Sequence, residues 1–591
     1  MYHSEPSALT QHAMLVVWGQ FAQRLGLIHR LNQIDLHQKT VEHRPQAKIL
    51  EFLVAILAGL PHLKDISQSA HPLDQDVAVA NAWQQPAWAD YSGVSRSLAE
   101  LTLEEARQIA EVLHQISQPI IDREVMLAVS RQDELVYDGD LTGRPVSNTS
   151  TTYPDVAYGL MSDHIQLGYQ AAVVSMHSPT HGRLWLSAVQ HPGDTVSCTQ
   201  AEAIIRAAEA RTGMRPMRRT DLLRQRVQDL AHQRQALAER VQRIQQALHV
   251  AQARLDETQA QVGGWHQTVT ELESMDAEHP RAERPHSQLA QARAKCDVFQ
   301  RRQARQEKAL GDIRHRLDRW QTRLGDCQTK QDRLQERLTQ CEQENATNPF
   351  PIHAVFRLDA GFGTRDNLAL LIELGYEAYL KPQGAWLLGR LKRRVDPDMT
   401  WTQVGDNAEM VAWADMHLED FPYPLDVGLE RFQMGATQRY SVLLHFGRHP
   451  VISDLPGWFA RYNGRQIIEA GIKEGKQVFQ MHHLKVRSAA GLFLQEQFAV
   501  FGANFVRWAA EWLVHQCPQV PPDYQVMTLG GVKEQVQVAA HTSAVVHWHE
   551  QGCLLRFTEH SVFAGSFLRV EGGWAIQLAL PLARNCIFAP I

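Results

Sequence analysis

The sequence predicts an α/β fold whose single mixed core is interrupted by a long helical insertion. Residues 134–141, 166–176 and 183–190 are β-rich segments separated by turn residues, as in an antiparallel meander. A helical run follows over 199–211, with Ser197 or Thr199 as its N-cap. After a long stretch of heptads, a strand at 353–358, a helix at 367–374 and a strand at 377–380 return. Meander and helix before the heptads, strand, helix and strand after them, place the heptad region inside one α/β domain.

Composition bounds the rest. The 591 residues are 44% hydrophobic and 21% charged, ordinary for a soluble protein able to bury several cores. Collagen-like, mucin-like and wholly disordered chains are excluded. The longest apolar run, 49–60, carries Glu51 and is far short of the roughly 20 residues a membrane span needs. The first thirty residues lack a basic start and a small-residue cleavage site, so no signal peptide is expected. Seven scattered cysteines without a Cys-x-x-Cys pair fit a reducing cytoplasm better than a disulfide framework or zinc module.

The chain divides in order as follows. Residues 1–130 form a helical N-terminal domain with apolar spacing at 14–27, 47–60 and 101–127. The broken stretch 61–95 has room for a DNA-reading helix-turn-helix, although plain bundle packing explains such helix pairs more often. Residues 131–212 carry the first part of the core. In 213–347, Leu223, Leu230, Leu237 and Ile244 repeat every seven, interleaved with Val227, Val241, Leu248, Leu255 and Val262. Leu310, Leu317, Leu324 and Leu338, alternating with Ile313, Trp320, Cys327, Leu334 and Cys341, repeat the pattern. This predicts an antiparallel coiled-coil hairpin turning near 276–286, where Pro280 and Pro285 stop both arms. Arms of about 60 residues reach roughly 90 Å. Residues 348–383 hold the second part of the core, 384–450 a β-rich insertion, 451–520 the third part, and 521–591 a β-rich tail.

Four residues in the third part stand out. Tyr462, Arg465, Glu469 and Lys476 are spaced by three, four and seven, which on a helix gathers them within a sector of about 60°. A carboxylate between two cations and a phenol suits a metal ion beside a polyanion. A solvated helix face with an i,i+4 Arg465–Glu469 pair accounts for the same spacing.

The spacing resembles the Tyr-x2-Arg-x3-Glu-x6-Lys signature of a large group of bacterial insertion-sequence transposases, the DDE transposases of that signature. The resemblance requires two further acids on strands upstream, and both are present. Asp138-Gly139-Asp140-Leu141-Thr142 closes the first strand, and Arg357-Leu358-Asp359-Ala360-Gly361-Phe362 closes the strand after the insertion. These are similar to the group's Asp-x-Thr and Arg-x-Asp-x-Gly-Phe contexts. Thr142 two residues on favours Asp140 as the first acid, with Asp138 as an auxiliary. The resemblance covers the whole chain and implies an RNase H-like core, with the β-rich insertion where this group carries one. The inserted coil departs from that pattern.

It further implies a cut-and-paste enzyme in which Asp140, Asp359 and Glu469 hold two Mg2+ ions, with Mn2+ as substitute. The partners implied are double-stranded DNA, as terminal inverted repeats and target, and a second copy in a homodimer. The setting implied is the bacterial cytoplasm, with no membrane. Two ions activating a nucleophile and stabilising a leaving oxygen explain why phosphodiester chemistry needs three carboxylates. Tyr462, Arg465 and Lys476 are then expected to hold phosphates, which positions DNA without reading it. Arg393 and Arg394, beside Arg390 and Lys392, form a basic cluster suited to DNA backbone, as do ten arginines at 211–254 against Asp221, Asp229 and Glu239. Trp401, Trp413 and Trp458 are more readily core residues than stacking platforms. His541, His547 and His549, like His482 and His483, have no convincing zinc-site partners, and no Walker-type loop is present. A catalytically inactive transposase-derived DNA-binding protein and a related metal-dependent nuclease are the alternatives.

Overall fold

The computed structural model describes residues 7–40, 42–148, 152–161, 164–278, 287–385, 387–396, 398–419, 421–435, 437–516, 531–549, 552–557 and 576–581. The chain is a mixed α/β protein in two compact units, Met1–Met217 with Phe350–Ile591, and Arg218–Pro349.

The first unit holds the strands β1 (Ser7–Thr10), β2 (Leu135–Pro145), β3 (Ala157–Met161), β4 (His164–Ser178), β5 (Gly182–Pro192), β6 (Ala354–Leu358) and β7 (Glu377–Leu380). It continues with β8 (Thr402–Gly405), β9 (Ala408–Met416), β10 (Leu425–Met434), β11 (Thr437–Phe446), β12 (Ala544–His549), β13 (Gly552–Phe557) and β14 (Ile576–Pro581). Ten of them make one mixed sheet in the order β3-β4-β2-β6-β7-β11-β10-β9-β8, with β5 also on β4. Its centre is β2, antiparallel to β4 and parallel to β6, which is in turn parallel to β7. Leu135–Tyr137, Ala171–Val174 and all of β6 are buried, the near-continuous apolar pattern of strands covered on both faces.

Two local devices place the central strand. Thr102 and Glu105 close a capping box on the helix Leu103–Gln132, and Asp133 ends it in the left-handed conformation, φ 56°, turning the chain into β2. The strands are longer than the sequence predicts, so Asp140 lies within β2 and not at its end. The expected caps Ser197 and Thr199 form a 3-10 turn instead, and Gln200 precedes the helix Ala201–Thr212 without a side-chain cap.

The 384–450 segment differs from expectation in a way that matters. It opens with the helix Leu388–Arg394, and its strands extend the central sheet, with β11 antiparallel to β7. The region before the N-terminal helices also joins the 531–557 region: β1 pairs with β12, Leu9 opposite Val545. The helix Ala489–Gln516 packs its Phe505 and Phe498 on Phe21 and Phe52 of the N-terminal helices. Helical N-terminal region and tail therefore share the first unit's core.

The second unit consists of two 59-residue helices, Thr220–Glu278 and Gln288–Ala346. Arg224 reaches Glu342, Arg234 reaches Gln328, Gln252 reaches Arg314, and Glu273 reaches Arg293, so the helices run antiparallel. Leu223, Val241, Leu255, Leu310, Cys327, Leu334, Leu338 and Cys341 are buried along the seam. At the open end Arg218 and Asn345 exchange two hydrogen bonds, 2.7 and 3.0 Å. The turn expected near 276–286 falls mostly outside the described residues. Among the described residues, no helix is long and apolar enough to cross a membrane.

Candidate active site

The central strand delivers the first acid. Asp140 points from β2 toward the helix Gln466–Gln477, with little solvent access, and its Oδ1 accepts from the Leu141 amide at 2.8 Å. Asp359 directly follows β6, where its Oδ1 accepts from the Gly361 amide at 3.0 Å in an Asx turn. Glu469 stands in the first turn of Gln466–Gln477 with its side chain half exposed.

Arg465 joins them. Its Nη1 donates to Asp140 Oδ2 at 3.4 Å and its Nη2 to Glu469 Oε1 at 2.5 Å. Burial alone would lower the guanidinium's pKa, but Asp140, Tyr462, Glu469 and Asp359 outweigh it and hold it above its ordinary value. Burial pushes the Asp140 carboxyl up to about 6; Arg465 opposes the shift, while Asp359 and Glu469 add to it. Asp140 and Glu469 thus meet on one guanidinium, with Asp359 near enough for its charge to act on both Asp140 and Arg465.

The sequence predicts one helix for the four signature residues. Two are found, Leu455–Asn463 and Gln466–Gln477, with the break at Gly464. A Cβ on Gly464 would lie 2.3 Å from Arg357 Nη1, so the break is where that guanidinium passes the backbone. Tyr462 is buried in a core cluster with Trp458, Tyr379 and Leu443, and its carbonyl accepts from the Arg465 amide at 3.0 Å. Burial holds its pKa well above the usual value, and the Arg465 charge opposes the shift. Lys476 shares an open groove with Asp140, Thr142, Glu469 and Lys473. Its pKa is lowered by burial and by Arg144, against the pull of Asp140.

Asp138 is the residue that departs most from expectation. It shares a strand face with Asp140, but Arg357 of the neighbouring strand stands in register with it. Arg357 Nε and Nη2 bind its two oxygens at 2.6 and 2.7 Å, and His177 Nε2 accepts from the same guanidinium at 2.7 Å. Asp138, 1% exposed, is thus held in a buried pair that ties β2 to β6. Arg393 and Arg394 lie exposed on the helix Leu388–Arg394, which packs on β10 and β11; Lys392 covers Tyr440 at 3.8 Å and Arg394 lies 5.9 Å from Trp413. Trp458 is 1% exposed, a core residue.

No family model matches this chain. No curated protein matches it either. The chemistry of the site is therefore read from its own atoms. Asp140, Asp359 and Glu469 offer oxygen donors only, and burial with the two neighbouring carboxylates holds the Asp140 carboxyl up, a donor set that fits hard divalent cations. Arg144 and Arg183, neither singled out in the sequence, are buried cations of the same unit. Arg144 is paired with Glu496 in the core, and Arg183 with Glu474 at 3.4 Å. Only their partners, distant in sequence, reveal them.

The raised Asp140 pKa makes stability depend on pH. Its folded value lies above that of an unfolded Asp, about 3.9. The native state therefore keeps a proton that the unfolded chain releases between about pH 4 and 6, and stability falls as pH rises through that window. The loss is roughly 2–3 kcal/mol at most. Urea midpoints measured in EDTA from pH 4.5 to 7 are expected to show this decline in the wild type and a flatter curve in Asp140→Asn. Parallel curves would place the titration elsewhere.

Proposed function

We propose that this chain is a DDE-type DNA transposase that cuts the ends of a mobile element and joins the freed 3′-OH to target DNA. The observation that carries the reading is the meeting of Asp140, Asp359 and Glu469, from three segments far apart in sequence, around Arg465. The strand order β5-β4-β2-β6-β7, with the first acid on the central strand and the second after its parallel neighbour, also supports an RNase H-like core. The two long helices are then a coiled-coil hairpin inserted between the first and second acids.

Asp140, Asp359 and Glu469 are the residues that would hold Mg2+, or Mn2+ in its place. When bound, the ions activate the attacking oxygen and stabilise the leaving one. The protein's own groups do the rest. Arg465 neutralises Asp140 and Glu469 while no divalent cation does. Lys473 and Lys476 line the groove beside the acids and attract the phosphate backbone of double-stranded DNA. Gly464 and Gly471 let Arg357 and Arg183 pass close under the two helices, which keeps Glu469 over the sheet. A homodimer synapsing two element ends in the cytoplasm completes the reading.

The basic run at 211–254 contributes less than its sequence suggests. Arg218 binds Glu344 at 2.6 Å and Arg224 binds Glu342 at 2.7 Å, acids supplied by the opposite helix, and Arg240 lies 4.0 Å from the Trp320 ring. Those charges serve the helix pair.

Cleavage and strand transfer of DNA bearing the element's own terminal inverted repeats test the proposal. Mg2+ is compared with EDTA, and wild type with Glu469→Gln. Mg2+-dependent 3′-OH ends and joined products, both lost in the variant, are expected. Cleavage without joining would leave a metal-dependent nuclease; binding without cleavage under Mg2+ and Mn2+ alike would leave a DNA-binding derivative.

A further inference from the structure

A second constellation lies at the other end of the same strands. Glu134 immediately precedes β2, His353 immediately precedes β6, and His449 follows β11. One ligand atom from each falls within 4.8 Å of the others. Glu134 Oε2 lies 3.4 Å from His353 Nδ1 and 3.8 Å from His449 Nε2. A zinc ion with bonds of about 2.0–2.1 Å spaces tetrahedral ligand atoms about 3.3–3.4 Å apart. The rings need only small movements to close on one.

Three further observations make this a built site and not a chance gathering. Glu377, the first residue of β7, takes the far nitrogen of each ring: His353 Nε2 at 3.0 Å and His449 Nδ1 at 2.6 Å. Glu377 also accepts from Tyr379 at 2.7 Å and from the Arg448 amide at 3.2 Å, as an acceptor-only carboxylate does. Each imidazole must then carry its proton on the nitrogen facing Glu377, which turns the lone pairs of His353 Nδ1 and His449 Nε2 toward Glu134. Carboxylates placed behind ligating histidines in this way fix the tautomer and the ring plane. Second, His353 Nδ1 is buried and makes no hydrogen bond, an unfilled position a buried nitrogen rarely keeps. Third, Arg461 binds Glu134 through Oε1, leaving Oε2 for the histidines' side.

We propose that Glu134, His353 and His449 bind one zinc-class divalent ion, oriented by Glu377, that pins the leading ends of β2 and β6 to the segment after β11. Two imidazoles and a carboxylate favour Zn2+ over Mg2+ by ligand softness, the reverse of the all-oxygen set at Asp140. The ligands come from three strand ends and Glu377 from a fourth, so the ion joins the two parallel strands to the β-rich extension. The proposal is independent of the catalytic reading, because it uses none of the three acids.

The test uses the full chain, stripped with EDTA and dialysed into excess Mg2+, and titrated with Zn2+ alone. The expected result is a Zn2+ site in wild type and in Glu469→Gln that is lost in His353→Ala/His449→Ala. Co2+ in its place is expected to give a visible absorption band that is lost in the same double variant. Glu377→Gln, which alters a positioning residue, is expected to weaken Zn2+ binding by about 10–100-fold and to shift the Co2+ spectrum. Thermal unfolding is expected to rise with Zn2+ in wild type only. If circular dichroism finds the double variant unfolded, His449→Gln, at a side chain 33% exposed, carries the comparison. Zn2+ affinity weaker than about 10 μM in wild type, preference for Mg2+ there, or undiminished Zn2+ binding without both histidines would overturn the site.

Discussion

Glu469→Gln will lower Mg2+-dependent strand cleavage by at least about a thousand-fold, close to 4 kcal/mol of transition-state stabilisation. The substitution keeps the side chain's volume and removes one negative charge from a corner where Asp140 and Glu469 meet on one guanidinium and the Asp359 charge acts on it. The amide oxygen can still accept from Arg465 Nη2, and Asp140 still accepts from Nη1, so the helix Gln466–Gln477 keeps its seat. Lys473 and Lys476 are untouched, so binding of end DNA in EDTA is expected to match the wild type. Loss of cleavage with binding and melting temperature retained would assign Glu469 to the chemistry. Cleavage above a tenth of the wild-type rate would reduce it to Arg465's partner, and the two-metal proposal would fall with it.

The largest effect on stability is expected at Arg357. It is 3% exposed and Asp138 1%, and the guanidinium also donates to the Arg461 carbonyl at 2.9 Å. Arg357→Ala strands a buried carboxylate in the central strand and unties the Leu455–Asn463 helix from the sheet. Breaking a buried pair on one side costs about 3–5 kcal/mol. Urea unfolding at pH 7 measures it. Because the cost is mostly the orphaned charge, Asp138→Leu/Arg357→Met should recover a large part of the loss. A decrease below about 1 kcal/mol in Arg357→Ala would mean that water reaches the pair.

The order of elements was legible because it is written locally. β-rich segments between turns marked β2, β4 and β5, and heptads marked the two long helices; β3, only five residues long, passed unnoticed. Pairing was not legible. Nothing in residues 402–446 states that β11 will join β7 and extend the central sheet. The same limit separates the acids. Strand parity puts Asp138 and Asp140 on one face, and only the register with β6 reveals that Arg357 claims the first. The spacing that drew Tyr462, Arg465 and Glu469 together survived a helix break at Gly464, since Gly464 and Arg465 both keep right-handed helical angles. Glu134, His353 and His449 escaped because their coming together depends on three strand ends and follows no motif.

The clasp between Arg218 and Asn345 bears on how the chain folds. The strands β2 and β6 must pair across more than two hundred residues, an arrangement that ordinarily slows assembly. Helices form faster than distant strands find one another. Once the two long helices have paired and Arg218 holds Asn345, the 132 residues of Arg218–Pro349 behave as a short bridge instead of slack chain. By the logarithmic dependence of closure entropy on loop length, that shortening spares the β2–β6 encounter roughly 1 kcal/mol. The inserted pair of helices thereby acts as a tether that readies the central strands to meet.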